Sequence, residues 1–357
     1  MRSMKLMGAA AVAILLAACG GGGSGGSQET GRVTMLVGDA PINDLSEVWI
    51  TVSEVELNMA GGKKDVVLDT PERIELLSLQ NLSEVLLSEE IVTGRINKVR
   101  LLLDKIEILR EGGTSPDNLE VLDVPAGGWI ELNPQGGIEV RAGETITMLI
   151  DVDLERSLHV IEGGNGSFEF RPQVFIEIYS EGDPSRIVRL KGTARGVNPT
   201  TDGWDLCDLR RESGDSTNEN LMDCVHMVDA GASVFQNPSA LEENSIVTAF
   251  GYMNFEATED TMNAKVLVIG DAKPIVTEIG RVASLPDADT IMIDIDPAAT
   301  ELLVPANLMQ GAVTVERHGA TTATLDVDDN VEAVGFRAAD ESLDTFLVIH
   351  EDPSPVI

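Results

Sequence analysis

Three acidic pairs in this chain have a spacing that suits a hard cation: Asp151 with Asp153, Asp294 with Asp296, and Asp326 with Asp328. Alternate residues of a strand point to the same face. Each pair would therefore set two carboxylates side by side, and loop carbonyls could complete a calcium shell around them. No EF-hand loop accompanies them: counted from Asp326, the positions that need glycine and glutamate hold Val331 and Arg337. The favoured reading of the pairs is a solvated strand face, with calcium as the alternative and no other cofactor expected. Asp39, in Gly38-Asp39-Ala40-Pro41, also has two readings. An aspartate can bond its own backbone two residues on while proline fixes φ, which makes a turn. The alternative makes Asp39 a ligand for a cation or a partner.

Catalytic groupings are missing from the sequence. His159, His226, His318 and His350 are dispersed, and no zincin, nucleophile-elbow, Walker or dinucleotide motif occurs. Paired acids across a groove, the arrangement of a glycosidase, leave a hydrolase as an alternative. Aromatic residues make up only 4% of the chain, so sugar stacking rests on Trp49, Trp129 and Trp204. Of these, Trp49 is expected in the core.

The N-terminus carries an address. Arg2 and Lys5 precede an apolar run, and small residues then stop at a cysteine in Leu16-Ala17-Ala18-Cys19. That order is a secretory signal, and its end resembles the lipobox of bacterial lipoproteins. The resemblance implies that residues 1–18 are removed and that Cys19 is acylated. The apolar run is too short to span a bilayer, which takes about 20 residues. The chain is therefore expected to be anchored to the lipid bilayer through the Cys19 acyl chains, each buried CH₂ contributing about 0.8 kcal/mol. Gly20, standing where aspartate favours inner-membrane retention, points to the outer membrane of the bacterial envelope. Residues 19–31 form a glycine- and serine-rich tether with a reach of roughly 17–21 Å.

The formal net charge is −35, and loss of Arg2 and Lys5 with the leader makes it −37. Nucleic acid is excluded as a partner, because phosphate neutralisation needs clustered Lys and Arg. Of the three cysteines, Cys207 and Cys224 remain after Cys19. Disulfides persist in an oxidising compartment, whereas a zinc site would need four ligands and only His226 is near. The two cysteines are expected to clamp a hairpin with strands 204–209 and 221–228 and a polar loop between them.

These side chains must be positioned by strands. Val48, Ile50 and Val52 alternate with polar residues, as do Ile146, Met148 and Ile150, then Phe168 and Phe170, then Val174, Ile176 and Ile178; residues 99–109 read as a long, well-buried strand. Glycine pairs at 61–62, 112–113, 127–128, 136–137 and 163–164 supply turns. Many short strands with such turns read as a sandwich or barrel. Leu76, Leu79, Leu82, Leu86 and Leu87 have helical spacing, so one short helix is expected over residues 76–87. A turn cluster at 181–184 marks a boundary. Beyond it the chain repeats: residues 192–197 correspond to 280–285, residues 244–252 to 330–336, and residues 266–269 to 346–349. The expected fold is mainly β, with a sandwich over 32–183 followed by small β-barrel-like units over 188–273 and 275–352.

The segments Gly38-Asp39-Ala40-Pro41 and Val48-Trp49-Ile50-Thr51-Val52 resemble the opening of the DUF4382 family of bacterial lipoproteins. Ile74-Glu75-Leu76-Leu77, Thr93-Gly94-Arg95-Ile96, the acidic run Asp151 to Leu158 and Phe170-Arg171-Pro172 follow in the family's order. The likeness covers about residues 31–180, with one departure: Gly38 stands where threonine often precedes the aspartate. The repeats more faintly resemble the small barrel units called DUF5666. Both families are of unknown function, so the resemblance implies architecture and location and carries over no catalytic residue. The chain is expected to be a non-enzymatic binding or adhesion module with an unknown protein or glycan partner. A structural part in an envelope assembly, or a hydrolase with paired acids, is the alternative.

Overall fold

The computed structural model describes residues 29–40, 45–110, 116–160, 168–179, 186–197, 203–211, 224–237, 240–255, 260–295, 302–317 and 324–350. The leader, Cys19, most of the tether, Asp296, His318 and the expected boundary at 181–184 lie outside them.

The first unit contains β1 (Thr30–Ala40), β2 (Leu45–Met59), β3 (Lys64–Leu68), β4 (Glu72–Glu75), β5 (Leu82–Val92), β6 (Gly94–Arg110) and β7 (Glu120–Leu122). It continues with β8 (Trp129–Leu132), β9 (Ile138–Val140), β10 (Thr145–Asp153), β11 (Leu158–Val160), β12 (Phe168–Phe170) and β13 (Val174–Tyr179). One sheet runs β3-β2-β6-β7, with β4 on β2 and both β8 and β9 on β6. The facing sheet begins β13-β10-β1-β5. Val33, Met35 and Val37 from β1 meet Val48, Ile50 and Val52 from β2 in a shared core, so the unit is a β-sandwich. Period two alone does not explain β6, where Val99, Leu101 and Leu103 point inward but so do Ile106 and Ile108. The register passes from Leu103 opposite Val52 to Lys105 opposite Thr51, leaving Asp104 as an extra residue. That bulge lets both halves of the strand face the core.

The helix expected over 76–87 is not formed. A short 3₁₀ turn at Leu77–Leu79 leads straight into β5. The reason is burial on both faces: every residue from Leu82 to Leu87 is buried. A strand covered on both sides loses polar alternation, and its apolar run can be read at helical spacing. Among the described residues the one α-helix is α1 (Leu154–Ser157), whose first turn is capped by Asp153.

The second unit contains β14 (Ile187–Arg195), β15 (Trp204–Arg210), β16 (Cys224–Val228), β17 (Ser233–Gln236), β18 (Ile246–Phe255) and β19 (Asp260–Ile269). The third contains β20 (Val276–Asp287), β21 (Thr290–Asp294), β22 (Leu303–Glu316), β23 (Asn330–Arg337) and β24 (Leu343–His350). The third unit is a closed barrel in the order β20-β21-β22-β24-β23. The same circuit closes in the second unit through β14-β15-β16-β19-β18, with β17 continuing the line of β16 along β19. The sequence repeats fall on matching strands. Gly192 and Gly280 pass the same point of the circuit, where a Cβ would lie 2.5 Å from the Cys207 carbonyl oxygen and 2.3 Å from that of Asp294. Gly251 and Gly335 are a second matched pair, each at a register shift against the last strand of its barrel. Only a residue without Cβ allows these strands so close.

The two barrels meet on phenylalanine. Phe346 lies 5.5 Å from Phe235, 5.7 Å from Phe250 and 5.3 Å from Phe336, centroid to centroid. Each such contact contributes about 0.5–1.5 kcal/mol beyond burial. The sandwich and the first barrel are not separate layers either. Leu82 and Ser83 of β5 pair in parallel with Ile187 and Val188 of β14, so one ten-stranded sheet runs across the expected boundary.

The disulfide joins Cys207 and Cys224, directly opposite on β15 and β16, with Cα atoms 4.2 Å apart. In the second barrel the matching residues are Asp294 and Leu303, also opposite each other. There the Asp294 carboxylate accepts the Leu302 N–H at 3.1 Å, closing the same corner without a covalent bond. Replacing both cysteines by serine should lower stability by about 3 kcal/mol, the chain-entropy value for a loop of this size. Denaturant unfolding of the wild type and the double variant measures it, and non-reducing alkylation of exported wild type should label neither thiol.

Candidate functional site

The three units are joined by charges taken out of water. Arg189 in β14 donates from Nε to Glu84 Oε1 of β5 at 2.6 Å, and from Nη2 to Ser78 Oγ at 3.1 Å. Both charged side chains are almost fully covered, at 3% and 1% exposure. Arg211, just after β15, pairs with Glu72 of β4 and donates to the carbonyl oxygens of Val85 and Leu86. Burial pulls the Arg211 guanidinium down to about 10. Glu332 of β23 reaches the sandwich, its Oε2 accepting the Asn81 N–H at 2.7 Å. Burial pushes this carboxyl up to about 7, against the Asn81 hydrogen bond and the positive charges of Arg189 and Arg317. Arg186 Nη2 donates to Asp151 Oδ2 at 2.9 Å, and Arg32 holds Asp260 through two contacts of 2.7 and 2.8 Å.

Beside this seam opens a cleft of about 520 Å³. Ser46, Glu47, Trp49, Glu75, Leu77 and Ser78 line it from the sandwich, Arg189 from the first barrel, and Ile275, Val276, Thr277 and Arg337 from the second. Val48 and Ile50 occupy the inward positions of β2, so the intervening Trp49 faces outward. It is half-buried at the cleft, not in the core as expected. Its Nε1 donates to Glu47 Oε2 at 2.6 Å, and the Arg73 guanidinium sits 3.8 Å from its ring centroid. Glu75 accepts three backbone N–H bonds, from Val48 at 3.0 Å, Leu77 at 3.1 Å and Ser78 at 2.9 Å. Burial nonetheless raises its pKa, with the nearby Glu47 adding to the rise. Its oxygens hold the turn at Leu77–Leu79. The other cation of the cleft is engaged as well, since Arg337 pairs with Glu278. What the arrangement offers chemically is a concave wall of backbone, tryptophan and hydroxyl groups.

Residues 30–172 match the family model described as Domain of unknown function (DUF4382). From β1 to β12 the sandwich is similar to a DUF4382 domain. Among curated proteins nothing matches the chain. The matched segment starts with β1 and ends two residues after β12, so the two barrels follow it in the chain.

Of the acidic pairs singled out in the sequence, Asp151, Asp153, Asp294, Asp326 and Asp328 are described, and several make contacts within the chain. In the sandwich, Asp151 accepts from Arg186 at the junction with the first barrel, while Asp153 accepts the Arg156 N–H at 2.9 Å and caps α1. In the second barrel Asp294 closes its corner, the Asp326 N–H donates to Asp329 Oδ2 at 2.6 Å, and Asp328 pairs with Arg281 at 3.2 Å. No group of three or more His, Cys, Asp or Glu side chains that could hold a metal occurs among the described residues. Asp39 stays within β1, its backbone opposite Val152; its side chain and residues 41–44, which would complete the expected turn, lie outside the described part. Among the described residues the histidines are not gathered. His159 is exposed on β11, His226 bonds Asp205 at 2.9 Å, and His350 lies between Glu316 and Asp329. Trp129 lies under Arg100, 4.0 Å from its ring centroid, and Trp204 is buried with Nε1 donating to Asp229.

Sequence reading missed the seam. The available signal was a charge at an inward strand position, as with Arg189 between Val188 and Leu190, all three buried.

Two measurements test the seam. Arg211→Met strands the Glu72 carboxylate and should cost about 3–5 kcal/mol in urea unfolding, most of it recovered in the double variant Arg211→Met/Glu72→Met. Glu332 is raised from 4.5 to about 7 by burial in the folded chain. The folded state therefore holds this proton more tightly, and the stabilisation is complete below about pH 4.5 and lost as pH rises through about 7. Melting temperature should fall between pH 5 and 8 in wild type, and Glu332→Gln should flatten that fall.

Proposed function

We propose that the protein is a lipid-anchored lipoprotein of the bacterial envelope, placed at the outer membrane, and that it is a non-enzymatic binding module. Its Cys19 acyl chains hold it to the bilayer, and its partner, a protein or a glycan, sits in the cleft between the sandwich and the barrels. The observation that carries this reading is the make-up of the cleft: its walls come from all three units, so the concavity exists only because they are joined. Pockets at domain junctions, with a few placed polar groups, are where ligands bind. The leader and the run Leu16-Ala17-Ala18-Cys19 support the anchor.

Against a hydrolase stands the state of the two acids in the cleft. Glu75 is bonded to three backbone N–H groups and Glu47 to the Trp49 indole.

Cys19→Ala, or globomycin treatment, should abolish metabolic labelling with a radioactive fatty acid; unchanged labelling contradicts the anchor. Detergent-solubilised envelopes passed over the immobilised mature chain should yield a stoichiometric protein or glycan, at least tenfold reduced by Trp49→Ala. Retention unaffected by changes in the cleft contradicts the binding site.

A further inference from the structure

We infer that the cleft takes an extended polypeptide segment of a partner protein, which adds as a strand to the edge of the second barrel at residues 275–277. The inference rests on the binding-module reading and names the partner class for the same site. It follows from comparing the two barrels of this one chain.

Val188 of β14 lies opposite Gly251, and Val276 of β20 lies opposite Gly335. Both glycines mark the register shift of their barrel, so Val188 and Val276 are the same position of the circuit. In the first barrel the other side of this position is occupied. Leu82 pairs with Ile187 and Ser83 with Val188, in parallel, and the next residue, Glu84, forms the buried ion pair with Arg189. In the second barrel Ile275, Val276 and Thr277 stand at the matching positions. Among the described residues no strand pairs with them on that side, and all three line the cleft. The opposite wall is also strand edge: Ser46 and Glu47 precede the point, at Trp49, where β4 begins to pair with β2.

A cleft between two open edges is suited to main-chain hydrogen bonds from an extended segment, with pockets for alternate side chains. The chemistry of the segment follows from Thr277, which replaces Arg189. Where β5 carries Glu84, the incoming strand meets a hydroxyl, and the two arginines of the cleft, Arg189 and Arg337, are already paired with Glu84 and Glu278, so a carboxylate there would be desolvated without a cation of its own. The segment is therefore neutral or basic at that residue, and apolar where it meets Trp49, Leu77 and Ile275. A second copy of this chain is disfavoured, because the mature protein carries −37, the formal −35 less two cations of the leader, and repels itself.

The probes are two synthetic peptides, one with the sequence of residues 81–87 and one with its Glu84→Thr form. Titrated against the unlipidated mature chain, the Thr form should bind at least tenfold more tightly than the Glu form. Thr277→Arg, which restores the cation of the sister barrel, should reverse that preference. Hydrogen exchange should show the amides of residues 275–277 protected by the bound peptide. Absence of binding at millimolar peptide, a preference unmoved by Thr277→Arg, or protection confined to other strands overturns the inference. A glycan recovered from envelopes through Trp49, with neither peptide bound, leaves the binding module standing and removes only the peptide. Failure of both removes both.

Discussion

Two ion pairs buried between the sandwich and the first barrel, Arg189 with Glu84 and Arg211 with Glu72, are the constraint from which the rest of the molecule follows. Taking four charges out of water is unfavourable unless every one is matched, and leaving one unmatched is worse. The two units therefore have one arrangement that satisfies all four. That arrangement brings Leu82 and Ser83 alongside Ile187 and Val188, which fuses two sheets into one. It also fixes where the second barrel can sit, because Glu332 must reach the Asn81 amide and Phe346 must reach Phe235 and Phe250. The cleft is the space left when these conditions are met together.

The barrels show how one circuit can be closed and used differently. At one corner the first barrel has a disulfide and the second has an aspartate bonded to the Leu302 amide. At another the first barrel has a strand of the sandwich and an arginine to match its glutamate, while the second has Thr277 and an open edge. The backbone pattern, set by Gly192 and Gly280 and by Gly251 and Gly335, is common to both. The side chains at the edge then decide whether that edge is structural or available.

Much of this was legible in the residues. Period-two runs such as Val48-Ile50-Val52 became strands, because one face of each meets a core. The paired cysteines stood opposite each other as expected, and the three repeated segments fell on equivalent strands. What escaped was whatever depended on contacts distant in sequence. Residues 82–87 read as helix because burial on both faces erased the strand period, and nothing local announced β14 as the second cover. Arg189 and Glu84 are 105 residues apart, so each alone is only an odd charge in an apolar run. Trp49 was expected in the core, although the alternation of its own neighbours placed it outside. The cleft was invisible for the same reason: its walls come from three units, and no stretch of sequence contains it.

If the buried pairs lock the sandwich and the barrels together, the mature chain must unfold as one body. Differential scanning calorimetry reads this directly, by comparing the calorimetric with the van't Hoff enthalpy. A single transition with the two enthalpies equal in the wild type, split into two by Arg189→Met, is the result this account predicts. Two separate transitions in the wild type, one for the sandwich and one for the barrels, would contradict it.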